Sequence, residues 1–254
     1  MLDPRILIAS IVAFVGGIVL FILGFIWLKQ KKLIENIPTS KIRSLAMGLV
    51  EIYGAVVPAE GKILKSPFSN KDCVFYDYRI EEYRQSGKHS QWVTIRNGKD
   101  SVPFFLKDDT ATVLVEPKEA SLSIKQDLAF QSGMGKDPSL QIKKYLTSQG
   151  LKFETFFGMN KKMRFIESFI EPKDKLYIMG TADENPYSKG VSSKNHVENI
   201  MIQKGKNDKF YFISDTDEKD ILGRFKWKVF GGLFGGSILS IAGLTIILLY
   251  FGFI

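Results

Sequence analysis

Cysteine is nearly missing from this 254-residue chain: there is one, Cys73, beside two histidines, His89 and His196. No intrachain disulfide can form, and these donors cannot close a tetrahedral zinc site without carboxylate help. No metal and no cofactor are therefore expected. Charge is missing from two long stretches, Ile6 to Leu28 and Val229 to Ile254. Basic-aromatic recognition motifs are missing too, so specific nucleic-acid binding is not expected despite a formal charge of +8. Gly133-Met134-Gly135-Lys136 lacks both the Gly-Lys-Ser/Thr ending and the preceding strand of a phosphate loop.

What is present begins with those uncharged ends. At 1.5 Å per helical residue the closing run reaches roughly 39 Å, enough for a hydrocarbon core of about 30 Å. The opening run is longer than a signal-peptide core, and no small-residue cleavage pattern precedes Lys29-Gln30-Lys31-Lys32. It reads as an uncleaved anchor. Lys29, Lys31, Lys32, Lys41 and Arg43 follow the first span, and Arg224, Lys226 and Lys228 precede the second, whereas only Arg5 lies on the outer side. The positive-inside rule then predicts a two-pass integral cell membrane protein with a cytoplasmic interspan region and both termini outside. The same basic residues suit anionic lipid headgroups. Small residues form ladders in both spans: Gly231/Gly235 and Gly232/Gly236 followed by Ser240, and Ala9, Ala13 and Gly17. Such faces allow close helix approach, either between the spans or in a homo-oligomer built through them.

Between the spans the pattern is β-rich. Thr39 or Ser40 should cap a short amphipathic helix from Lys41 to Met47, ended by Gly48. Strands are expected at 49–57, 73–84, 90–97, 101–107 and 111–116. Turn chemistry separates them at Ser66-Pro67-Phe68-Ser69-Asn70, at Ser86-Gly87 and, as the strongest hairpin signal, at Asn97-Gly98. A helix should run from Pro138 to Gln149 and stop at Gly150. Strands follow at 163–170, 176–182, 197–203 and 209–213, with a flexible polar loop at 183–195. A helix from Thr216 to Lys228, capped by Asp215 or Thr216, should continue into the second span. The fold class is α+β: a β-rich interspan domain of small antiparallel barrel or sandwich modules with short helices, flanked by two transmembrane helices. Its expected parts are 6–28 (first span), 36–118 (first β-rich module), 119–228 (second, α+β part) and 229–254 (second span).

Few residues suggest chemistry. Glu51, Glu81, Glu82, Glu167 and Asp174 include candidate acid-base pairs, but strand alternation turns most of them outward. Arg164 and Glu167, three apart on a strand, should face opposite sides, and a cross-strand salt bridge is expected from either. Cys73 and His89 invite a thiol-imidazole dyad, yet Cys73 opens an apolar strand where a free cysteine behaves as a small hydrophobe. No catalytic residue is assigned.

From Pro38-Thr39-Ser40 onward a series of short motifs runs in order. They are Gly48-Leu49-Val50-Glu51-Ile52-Tyr53-Gly54, Ser66-Pro67-Phe68-Ser69, Cys73-Val74-Phe75-Tyr76 and Val102-Pro103-Phe104. Later come Arg164-Phe165-Ile166-Glu167, Leu176-Tyr177-Ile178-Met179-Gly180 and Ile213-Ser214-Asp215. Together these resemble the GIDE, or "beside a membrane" (BAM), domain of the mitochondrial ubiquitin ligase activator family, and the two-span layout matches. Asn70 stands where that pattern often has glycine; Ala111 and Lys173 replace turn glycines. Family ligases carry a zinc-binding RING after the second span, where this chain stops, and one cysteine cannot supply a RING. The resemblance implies a non-catalytic binding or scaffold module at the membrane surface with a protein partner yet to be named. The alternative is a component of a ubiquitin-ligase-like system whose RING lies on another chain.

Overall fold

The structure is a computed structural model that describes residues 3–86, 89–154, 158–187, 196–206, 210–216 and 218–253. Gly87, most of the polar loop expected at 183–195, and Asp217 lie outside the described residues. The chain forms two compact units, Thr39–Thr216 and the pairing of Met1–Pro38 with Asp217–Ile254. Its helices are α1 (Pro4–Asn36), α2 (Leu140–Ser148), α3 (Glu218–Phe230) and α4 (Gly236–Phe251), the last two joined by a π-helical turn at Gly231–Gly235. Its strands are β1 (Gly48–Pro58), β2 (Leu64–Lys65), β3 (Asp72–Cys73), β4 (Phe75–Ser86), β5 (His89–Ser101), β6 (Phe104–Lys107) and β7 (Thr112–Val115). They continue with β8 (Ser121–Ser123), β9 (Leu128–Gln131), β10 (Met163–Ile170), β11 (Lys175–Glu184), β12 (Ile200–Gln203) and β13 (Phe212–Ser214).

In the Thr39–Thr216 unit, β1-β6-β7-β12-β11 closes back onto β1, a five-stranded barrel. Every neighbouring pair is antiparallel except β7 and β12. That circuit is a Greek-key barrel of the OB type, so the expected antiparallel barrel contains one parallel pair. β13 and β8 extend it from β11. Alternate apolar residues fill the interior, among them Ile52, Val56, Phe104, Leu106, Val115, Ile178 and Ile202.

A second sheet, ordered β5-β4-β10-β9, is antiparallel throughout. It packs Tyr78, Ile80, Met163 and Phe165 against Ile142 and Leu146 of α2. The Ser139 hydroxyl caps α2 by accepting from the Ile142 N–H at 3.3 Å, and Gly150 ends it at φ 65. β1 pairs with β11, and β4 with β10. Strands from both sides of residue 118 therefore share both sheets, and a module boundary expected there does not separate them.

Two local expectations are corrected. The Lys41–Met47 helix shrinks to a 3-10 turn, Ile42–Ser44. The N–H groups that would begin it are taken instead by the β6–β7 turn, Ile42 donating to Asp108 at 2.9 Å and Arg43 to Thr110 at 3.1 Å. Asn97-Gly98 is not a hairpin but the interior of β5. Gly98 lies opposite Tyr78, and a Cβ there would sit 2.7 Å from that ring. The glycine makes room for an aromatic side chain, not a turn.

The other unit is an antiparallel helix pair. Asp3 caps α1 by accepting from Arg5 N–H, with Pro4 at its first turn. A Cβ on Gly24 would come within 2.8 Å of the Leu233 nitrogen, and one on Gly243 within 2.7 Å of the Phe14 nitrogen. Past this seam Ile34 of α1 and Ile221 of α3 are buried. α1 is roughly 50 Å long by its rise per residue, more than a bilayer core needs. Two apolar helices of this kind fit a two-pass membrane protein. Gly24 lies against Gly232, so Trp27 and Trp227 fall at the same end of the pair, where interfacial aromatics belong.

Candidate functional site

The carboxylates are held by structural bonds. Glu51, 1% exposed, accepts from the Thr39 hydroxyl at 2.6 Å and the Tyr177 hydroxyl at 2.7 Å. Strand alternation does aim it out of the barrel, but Thr39 forms a bridge beside it and covers it. Glu167 is fully buried and accepts from the Phe68 and Ser69 N–H groups at 2.7 and 2.9 Å, fixing the 66–70 turn. Neither is the outward, solvated group that alternation alone predicts. Glu81 bridges Arg164 at 3.2 Å and Arg79 at 3.3 Å, the expected cross-strand ion pair. Glu82 binds Arg84 at 2.6 Å and Lys161 at 3.1 Å; burial opposes its charge, but these cations hold it below the ordinary carboxylate range. Asp174 accepts from Glu171 N–H at 2.7 Å, while burial pushes its pKa up.

The thiol is equally occupied. Burial, then the nearby Glu167 charge, pushes Cys73 up to about 12, and its Sγ lies 3.7 Å from the Leu64 carbonyl. His89 pairs with Ser86 at one end of the β4–β5 ladder, whose other end pairs Phe75 with Ser101. At 3.3 Å per strand residue those ends are roughly 36 Å apart, so no dyad forms. Among the described residues no group of three or more His, Cys, Asp or Glu could hold a metal. The residues present do not fit a RING zinc site.

The seam of the helix pair brings together part of the expected ladders. Gly17, Gly232, Gly236 and Ser240 lie where α1 meets the π-helical turn and α4, and a Cβ on Gly236 would meet the Phe21 nitrogen at 2.7 Å. Around Gly231 and Gly235 there is open space, Ala9 is exposed and Ala13 half-buried. Ser10 and Gly24 complete the contact on α1, and Gly243 on α4. The seven-residue spacing of Ser10, Gly17 and Gly24 was the signal for them. Lys29, Lys31 and Lys32 on α1 and Arg224, Lys226 and Lys228 on α3 fall at the tryptophan-bearing end of the pair. Lys31 pairs with Glu35 at 2.6 Å. Lys41 and Arg43 belong to the barrel unit, with Lys41 paired to Asp109 at 2.6 Å.

One feature of the barrel unit remains open. A groove of about 510 Å³ is lined by Thr39–Lys41, Tyr53–Ala55, Lys107–Asp109 and Lys175. Its floor is the middle of β1; its sides are the end of β6 and the start of β11, both paired to Ala55. Asp108 closes one rim by accepting from Ile42, Thr110 and Ala111 N–H groups. Partial burial opposes its charge, but those donors hold its pKa below the ordinary carboxylate value. Sequence reasoning missed this groove because its lining comes from four separate segments.

A family model described as GIDE, E3 ubiquitin ligase, matches residues 76–247. No curated protein and no solved structure matches the chain. The family match takes in the second sheet, most of the barrel and the greater part of the second apolar helix, all in one stretch. The chain therefore belongs to the GIDE family, a family of E3-ligase-related proteins, here with two candidate membrane spans.

Proposed function

We propose that the Thr39–Thr216 unit is a non-catalytic binding module held at the cytoplasmic membrane surface. One observation carries this reading: the side chains with catalytic potential are tied into structural bonds, while the barrel keeps an open groove. The basic residues gathered at one end of the helix pair support a cytoplasmic placement and attraction to anionic headgroups. The family match favours a second reading in the same direction, in which the module serves a ubiquitin-ligase-like assembly whose RING is on another chain.

The test uses full-length protein in lipid nanodiscs with ubiquitin, activating enzyme, conjugating enzyme and ATP. No ubiquitin should be transferred to the chain or to an added acceptor protein. Transfer by the chain alone would overturn the non-catalytic reading. Transfer that needs both this chain and an added RING protein would establish the second.

A further inference from the structure

We propose that the groove beside β1 binds a phosphate-bearing ligand, clasped between Lys107 and Lys175. This inference rests on the binding-module reading and names the ligand class of its site. Ala55 of β1 is the direct partner of Lys175 on one side and of Lys107 on the other. Directly opposed residues project from the same sheet face, so both ammonium-bearing side chains leave the barrel on the side of the Ala55 methyl. Two strand spacings, roughly 10 Å, separate their Cα atoms, and each flexible stem can swing its charge inward over β1.

The charges around the groove are unequal in availability. Lys41 is paired with Asp109 at 2.6 Å, and the Asp108 carboxylate is committed to backbone N–H groups and the Thr110 hydroxyl. The side chains of Lys107 and Lys175 make no ion pair or hydrogen bond among the described residues. Two unspent cations thus face each other across a floor of Gly54 and Ala55, with no bulky side chain between them. A Cβ on Gly54 would sit 2.5 Å from the Lys107 carbonyl oxygen and 3.1 Å from the core residue Leu106, so glycine here lets β1 and the end of β6 lie close beneath the groove. Two point charges at this separation match the two negative charges of a phosphate better than the single charge of a carboxylate. Tyr53, 39% exposed at the end of the groove, gives the organic part of the ligand a ring to lie on.

The experiment titrates inorganic pyrophosphate into the full-length protein in phosphatidylcholine nanodiscs, read by calorimetry. Saturable binding is expected, weakened at least tenfold in the double variant K107Q/K175Q and unchanged in K99Q/K125Q, which removes exposed lysines elsewhere. Absence of saturation in the millimolar range, or equal losses in both double variants, would overturn the proposal. Repeating the titration in nanodiscs that contain phosphatidylinositol phosphate identifies the natural source. Blocked pyrophosphate uptake means that a lipid headgroup fills the groove; unchanged uptake means a soluble phosphate. Failure here would leave the absence of ubiquitin transfer untouched, and transfer by the chain alone would sink the module reading whatever the groove binds.

Discussion

Lys173 sits in the turn Glu171–Asp174 with φ 78, behind Pro172 and under a hydrogen bond from Asp174 N–H to the Glu171 carbonyl. Proline followed by a positive φ is a type II turn, whose third position prefers glycine or asparagine. Lysine there carries a left-handed strain of about 1–2 kcal/mol. Lys173→Gly should stabilise the barrel unit by about 0.5–1 kcal/mol once the extra freedom of the unfolded glycine is counted, seen as a raised midpoint in denaturant. Asn70, the other non-glycine residue with positive φ among those described, has φ 55. Both were legible in sequence as replacements of family glycines. Ala111, the third such replacement, has ordinary backbone and should not respond to glycine in the same way.

The buried acids were less legible, because alternation tells which way a side chain points but not what lies over it. Glu167→Ala should cost about 3 kcal/mol in thermal or urea unfolding, since the Phe68 and Ser69 N–H groups would be left buried without an acceptor. At pH 8 a thiol near 12 is ionised to only about one part in ten thousand. Cys73 should accordingly resist maleimide in the folded protein and react at the ordinary rate in denaturant. Rapid labelling of the native state would show that the strand around it opens.

Among the elements, the long alternating strands β1, β10 and β11 lie close to where their patterns put them. Local signals failed where a distant partner had the stronger claim. The Asp108–Thr110 turn captured the N–H groups that Lys41–Met47 needed for a helix, and the Tyr78 ring claimed Gly98 for a strand. The helix pair separates two glycine faces that sequence treats alike. Gly236→Leu should disrupt the α1–α4 contact at a cost of order 3 kcal/mol, because the new side chain would enter the Phe21 backbone. Gly235→Leu, with open space around it, should change stability by no more than about 0.5 kcal/mol. Thermal unfolding in detergent distinguishes them, and equal losses would mean that the seam is misplaced.

For the whole molecule, the α+β class, the β-rich centre and the two apolar ends could be read from the sequence. The barrel circuit could not, since its closure joins β1 to β11 and sets β7 parallel to β12 across a second sheet. Placement across the membrane has a direct check at Met134, which is 86% exposed. Met134→Cys in a Cys73→Ala background should react with an impermeant maleimide only after cell lysis if the barrel unit is cytoplasmic. Strong labelling of intact cells would reverse the orientation.

The seam between α1 and α4 also sets a clock. The Ser240 hydroxyl donates to the Phe14 carbonyl across 226 residues of sequence. At roughly 5–20 residues per second of synthesis, α1 waits roughly 11–45 s in the bilayer before its partner emerges. Through that interval Ser10, Gly17 and Gly24 face lipid or whatever helix is nearest. The nascent chain is then most open to pairing with the wrong helix, because the segment that covers those small residues is made last.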